Sequence, residues 1–428
     1  MRKSYLAALL MFSAGLLSTL PATATAFGLF QHGGIGVGEA GALVARAVDP
    51  GALSYNPAGI AALPGLQLQI GADMNQGVDD YLSSSAEKFT ANHVINYPPS
   101  VYVTWRAKQT PFAFGIGVDS PFWYTQNWEQ ARFPGRFLSR RFELTLFEVH
   151  PVVAYDLGEG YSVALGYRYE TGNLKQGDNR LVGFTPPGGG APLPVELARD
   201  SNAKVDGNAW DLGFRYASQV WGWGAVYRSQ ATLKGSSSAH YTPLNAAPAT
   251  LSAAAQQFPT GSASTSFLLP WEARGGAWIA PYPELRLELD YVFQHWSSLQ
   301  ATTIHYDPNP IEGLPTVAQA RNWKDSSSLR LGIEGNVTDG LVLFGGIAYE
   351  TTPVPRSTLD PTFPRGDARI LATGFSYNFP NISFDAGISL HSFKNRNADN
   401  QELLGPPGAT GTYKGTDRVW GGGVRWRF

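Results

Sequence analysis

Four arginines, Arg168, Arg215, Arg228 and Arg330, stand on the polar side of alternating stretches of this chain. A guanidinium held inside a protein takes a carboxylate through paired charge-assisted hydrogen bonds, so the four are candidate receptors for an acidic ligand. Asp211, Glu288, Asp290 and Glu334 share that phase, and pairing with them is the competing assignment. Val292, Trp296, Val342 and Phe344 occupy the same phase without being polar. They are candidates for an apolar pocket beside Phe27, Leu29 and Phe30, and packing against the leading segment accounts for them equally well. Other chemistry is weakly signalled. The seven histidines are scattered singly, so no metal site and no cofactor is expected. Gly36, Gly38 and Gly41 match a dinucleotide fingerprint but lack the preceding strand that it requires. A lipase placed on the outer wall would need serine, histidine and an acid there; His295 and His391, read as outward-facing among aromatics, fit interfacial anchors better. With 32 Lys and Arg against 34 Asp and Glu, there is no concentrated basic stripe for nucleic acid.

The elements that carry these residues read as strands. From Tyr161 to Glu170, Tyr161, Val163, Leu165, Tyr167 and Tyr169 fall on one face, and Ser162, Ala164, Gly166, Arg168 and Glu170 on the other. Leu285 to Gln294 repeats the pattern with Arg286, Glu288 and Asp290 on the polar side. Oily faces in nearly every strand predict a transmembrane antiparallel β-barrel, whose grease meets lipid and whose polar side lines the lumen. Strands are expected near 66–74, 98–107, 111–118, 141–156, 160–171, 208–217, 221–231, 269–280, 284–298, 327–337, 341–350, 368–378, 382–392 and 417–428, about fourteen in all. Tight turns near Lys108, Gly158, Ser218, Pro281, Asp339 and Pro380 alternate with long connections. That asymmetry places both chain ends on the periplasmic side of an outer membrane. Residues 1–26 read as a signal peptide, with Arg2 and Lys3 before an apolar stretch and Ala24-Thr25-Ala26 at its end. A mean hydropathy of −0.16 conceals the barrel, because alternation averages toward zero.

The barrel then covers 66–428, and the non-alternating, Gly- and Ala-rich segment 27–65 precedes it. A barrel this wide would stand open to water, so that segment is expected to be a hatch plugging the lumen. The last strand ends on Phe428, sharing a face with Trp420, Val424 and Trp426, a pattern expected to address the barrel assembly machinery. Gly36-Val37-Gly38-Glu39-Ala40-Gly41, Ala45-Arg46-Ala47 and Tyr55-Asn56-Pro57-Ala58-Gly59 resemble the hatch of FadL-type outer-membrane transporters for long-chain fatty acids and aromatic hydrocarbons. Gly117-Val118-Asp119-Ser120-Pro121-Phe122, Phe133-Pro134-Gly135-Arg136, Trp221-Gly222-Trp223-Gly224 and Asn322-Trp323-Lys324-Asp325 continue the resemblance in family order. It implies hatch roles for Asn56, Pro57, Ala58 and Gly59. It also implies a lateral opening around Gly117, Asp119, Ser120, Pro121 and Phe122, where proline breaks the ladder; the alternative is a strand that simply stops. By the same resemblance the loops 172–206 and 232–268 form an outer groove through Leu181, Phe184, Leu251, Phe258 and Phe267; mutual packing is the alternative. The expected function is passive uptake of a fatty acid, alkane or aromatic by a monomeric, non-enzymatic channel embedded in outer-membrane lipid. A general porin or structural barrel is the competing reading, and a barrel lipase a weaker one.

Overall fold

The computed structural model describes residues 28–46, 49–186, 189–244, 248–307, 316–398 and 410–428. The expected signal peptide and Phe27 lie outside them. Fourteen strands form the wall: β1 Gly65–Ser83, β2 Pro99–Arg106, β3 Phe112–Asp119, β4 Arg141–Gly158, β5 Tyr161–Phe184, β6 Leu193–Ala217 and β7 Trp221–Arg228. The rest are β8 Glu272–Tyr282, β9 Leu285–Gln294, β10 Ser326–Asn336, β11 Leu341–Glu350, β12 Ala368–Asn378, β13 Ile382–Phe393 and β14 Gly411–Arg427. Each pairs antiparallel with its neighbours, and β1 closes on β14 from Gln67↔Arg427 to Ser83↔Gly411, leaving no free edge.

Burial runs opposite to that of a water-soluble sheet. Leu165, Tyr167, Leu289 and Tyr291 are exposed on the outside, whereas Arg168, Glu170, Glu288 and Asp290 are buried in the lumen. An apolar outer band with charge inside is a wall solvated by lipid. No helix among the described residues is long and apolar enough to cross a membrane.

The long connections hold more structure than their composition suggests. The expected loop 172–206 is instead an extension of the β5–β6 hairpin, paired from Tyr161↔Tyr216 to Phe184↔Leu193. Likewise 232–268 contains strands Ala231–Leu244 and Gly261–Leu269 and the helix Pro248–Gln257. Beyond the membrane band the outer face of a strand no longer meets lipid and need not be apolar, so the contrast that marks strands inside it fades there, although Leu174, Phe184, Val195, Leu197 and Val205 remain buried. At this end the connection 351–367 folds inward. Its Pro361 and Thr362 carbonyls accept hydrogen bonds from Trp128 Nε1 (3.0 Å) and Tyr124 Oη (2.9 Å), and Phe363 packs edge-on against Trp323. Trp128, Phe133, Trp296, Trp323 and Phe363 are buried in one aromatic cluster.

Candidate functional site

The leading segment, expected to be a hatch, is built from small residues because the wall leaves little room. Helix α1, Gly33–Gly38, is buried throughout, and a Cβ added at Gly387 of β13 would stand 2.2 Å from the Gly34 carbonyl oxygen. A Cβ added at Gly38 would stand 2.5 Å from the Phe344 ring of β11, and Gly41, at φ +76°, takes a left-handed turn that side chains disfavour. The Gly-x-Gly-x-x-Gly spacing therefore serves close packing. Helix α2, Ala52–Tyr55, and the 3₁₀ turn Pro57–Ala62 complete the hatch. Asn56 ties them together: its amide donates to Val44 O and Phe214 O, both at 3.0 Å, while its oxygen caps Ala58 N. Pro57 opens the 3₁₀ turn, Gly59 N donates to Asn56 O, and Ala58 O accepts from Ser162 of β5.

Charge locks this segment to the lumen. Arg46 donates to Glu288 (2.6 Å) on β9, to Glu334 (2.9 Å) on β10, and to Glu39 within the hatch. Asp290 accepts from Val44 N at 2.9 Å. Burial pushes the Glu39 carboxyl up to about 8, with Arg46 opposing and Glu334 and Glu288 adding to the rise. Arg215 and Arg330, expected as carboxylate receptors, grip hatch carbonyls: Arg215 those of Ala45 and Arg46, Arg330 that of Ala40. Arg330 also pairs with Glu350, and both Arg168 and Arg228 pair with Glu148. Of the acids expected as partners, Asp211 alone among the described residues pairs with one of these four arginines, 3.9 Å from Arg228.

Ahead of the hatch, residues 28–31 form a strap across the lumen. Leu29 N donates to Pro121 O at 2.8 Å, and Gly28 bridges to Phe122. Here the third strand is interrupted. Asp119 pairs with Glu148 and Trp123 with Thr145, so Ser120, Pro121 and Phe122 face only Leu146 and Phe147 on β4. One surplus residue makes a bulge, and Pro121 supplies no donor to the ladder. The strand resumes as Trp123–Asn127 instead of stopping, still paired to β4. Towards β1 and β2 it is met by residues 92–96, with Asn92 N donating to Asn127 O (2.8 Å) and Trp123 Nε1 and Thr125 Oγ1 both donating to Asn96 Oδ1. The Ser120 hydroxyl is buried without a hydrogen-bond partner among the described residues. Asp119 accepts from Tyr102 (2.8 Å) and from Ser54 of the hatch, and Gly117 packs on Tyr102. Three cavities meet at the strap, all lined by Leu29 and Phe30, the largest about 110 Å³.

The four apolar lumen residues do not form one pocket. Val342 and Phe344 pack with Ile35, Leu43 and Tyr55 of the hatch. Trp296 lies in a turn after β9 and joins the aromatic cluster of the long connections, and Val292 is buried on β9 between them. Phe184 and Phe258 share a cluster with Tyr241 and Tyr306, whereas Phe267 belongs to the aromatic cluster and Leu181 is exposed. The Leu251 side chain lies outside the described residues. His295 stacks on Trp271 at the outer wall as expected, but His391 points inward, 3.0 Å from Ser389 Oγ and lining the largest cavity. The inward turn follows from the phase of β13, where Asp385, Ser389 and His391 share the lumen side. Sequence reasoning passed over Arg274 and Arg365 altogether. Arg274 stands two residues inside β8, and Arg365 reaches from the connection 351–367 to Asp79 on β1 and Asp417 on β14.

A closed fourteen-strand barrel with grease outside, charge inside and its leading segment packed on the lumen side has the architecture of an outer-membrane transport protein. The family model for outer membrane protein transport protein (OMPP1/FadL/TodX) matches residues 15–428, and the chain belongs to that family. It is 26% identical over 427 residues to the 47 kDa outer membrane protein of Pasteurella multocida, covering 95% of each. To the long-chain fatty acid transport protein of Salmonella typhi it is 24% identical over 393 residues, covering 84% of this chain and 85% of that one. Among solved structures, a Pseudomonas aeruginosa FadL homologue superposes with TM-score 0.80 at 19% identity, covering 94% of this chain and 100% of that one. The Ralstonia pickettii toluene transporter TbuX gives 0.68 at 18% identity, covering 94% and 99%.

Proposed function

We propose that the protein carries a hydrophobic molecule passively through the outer membrane. The molecule enters from the long-connection end, reaches the cavities beside Phe30, and leaves sideways through the break in β3 when strap and hatch shift. The physical logic is that an oily solute is slowed by the polar outer surface of the membrane and gains nothing from a water-filled lumen. A sheltered route with a lateral exit avoids both. The observation that supports this reading is the contact of Leu29 and Gly28 with Pro121 and Phe122, which sets the strap against the interruption in β3, beside the cavities. The ligand shifts strap and hatch only through its differential affinity for their two positions, so the cavity must share residues with them, and Phe30 is one. No bond is made or broken. The test is removal of the surplus residue: deleting Pro121 lets β3 run on in register along β4. Uptake of a hydrophobic solute into proteoliposomes should fall at least tenfold while the barrel stays folded; unchanged uptake would place the exit elsewhere. A general porin would instead show large, steady ion conductance in planar bilayers, where this reading expects a closed baseline.

A further inference from the structure

Cations gather on the outside of the barrel where β12, β13 and β14 leave the apolar band. Arg369 stands directly across from Ser392, and Ser392 across from Thr416, all on the strand phase opposite to the buried Ile370, Ser389 and Val419. Lys414 and Arg418 flank Thr416 two residues to either side, which keeps the three side chains on one face of β14. Lys394 follows Ser392 at the same spacing, and its side chain is 66% exposed. Two outward hydroxyls are thus ringed by four cations. Two acids share the rim: Asp367 lies 4.0 Å from Lys394, and Asp80, opposite Lys414 on β1, pairs with Lys88 at 3.0 Å. Among the described residues no carboxylate pairs with Lys414 or Arg418, and the Ser392 and Thr416 hydroxyls have no hydrogen-bond partner. The lumen arginines differ in this respect, since each of those named above is tied to an acid or to a hatch carbonyl.

Just below the cations the same face turns apolar. Leu390 lies across from Arg418, Ile388 across from Trp420, and Leu371 beside Leu390. The run from Arg418 to Phe428 matches the span of about 9–11 residues with which a tilted strand crosses the hydrocarbon. Arg418 therefore stands where acyl chains end and head groups begin, at the end of the barrel that carries the long connections. We propose that this rim binds a diphosphorylated, multiply acylated glycolipid of the outer leaflet. Its phosphates sit on Ser392 and Thr416 among Lys394, Lys414 and Arg418, and its chains lie along Leu390 and Ile388. Ammonium and guanidinium groups form strong charge-assisted hydrogen bonds to phosphate oxygens, and the hydroxyls add further donors. A phospholipid with one phosphate leaves part of this charge unmet, and free phosphate leaves the apolar wall below it unused. The site lies outside the barrel, so it stands independently of the uptake reading.

The test titrates the full chain in detergent with the diphosphorylated lipid A disaccharide and follows the bound lipid by native mass spectrometry. That glycolipid should bind about tenfold more tightly than its dephosphorylated form with the same chains, and more tightly than phosphatidylglycerol. Lys414→Gln/Arg418→Gln changes only outward side chains and should weaken glycolipid binding about tenfold. The control Lys204→Gln/Lys234→Gln removes the same charge from the exposed face of the long hairpins and should leave binding within about twofold. Equal binding of the dephosphorylated form, or equal loss in both variants, would overturn the site. Displacement of the glycolipid by inorganic phosphate at matched concentration would make it a free-anion site, and phosphatidylglycerol binding as tightly would make it a general lipid contact; either result overturns the proposal.

Discussion

At the scale of single residues, Arg46 matters most to the closed state. It joins Glu288 and Glu334 of the wall to Glu39 of the hatch, and all four are largely or wholly buried. Arg46→Ala leaves the Glu288 and Glu334 carboxylates buried beside Glu39 without their cation, a loss of about 3–5 kcal/mol in hatch docking. The expected outcome is a folded barrel with frequent ionic leak in planar bilayers; a wild-type closed baseline would remove Arg46 from this role. Glu39 gives docking a pH dependence. Its carboxyl is raised from an ordinary 4.5 to about 8 in the docked state, so docking retains a proton that an undocked hatch releases. That contribution is complete below pH 4.5 and is lost as pH climbs through about 8. Protease cleavage within the hatch should therefore increase between pH 6 and 9, and Glu39→Gln should flatten the increase. Little of this network was legible beforehand. Glu288 was placed on the polar face correctly, yet its partner Arg46 lies 242 residues away, and spacing along a chain says nothing about contacts that only closure of the barrel creates.

At the scale of elements, legibility follows the membrane. The expected ranges 341–350 and 368–378 coincide with β11 and β12, since these strands lie where one face meets lipid and the other the lumen. β5 is different. Its 24 residues extend about 80 Å, whereas a tilted strand spans the bilayer in about 9–11 residues, and the polar stretch beyond Glu170 reads as loop because its outer face no longer has to be oily. The chain lacks cysteine, so single labels report the boundary cleanly. A spin label at Leu165→Cys should be reached by oxygen dissolved in lipid, and one at Lys175→Cys by an aqueous nickel reagent. Reversed accessibilities would mean that the membrane band is misplaced. The break in β3 was partly legible through Pro121, but the resumption of the strand at Trp123 was not, because a bulge and a strand end share the same local signal.

At the scale of the molecule, the lumen is obstructed at two levels. By the proposed reading the hatch obstructs it where Ile35, Leu43 and Tyr55 pack on Phe344, and the inward-folded connection 351–367 adds Val354, Leu359 and Phe363 to the aromatic cluster at the long-connection end. Steady ion flow through such a body is not expected, while a hydrophobic solute needs only a path from that cluster past Phe30 to the break in β3. Overall closure was readable from alternation and from the regular order of short and long connections. The second obstruction was not, because aromatic residues in long connections carry no periodicity that announces where they fold. The account depends on movement of the hatch, and the wall offers a place to prevent it. A Cβ at Gly332 on β10 would lie 3.0 Å from that of Ala42, close enough for a disulfide after a small shift, since disulfide-linked Cβ atoms sit about 3.8 Å apart. The decisive measurement is uptake of a hydrophobic solute by proteoliposomes carrying the Ala42→Cys/Gly332→Cys variant, with cross-linking quantified in the same sample. Oxidation should stop uptake and a reductant should restore it; wild-type uptake through a fully cross-linked hatch would contradict the account.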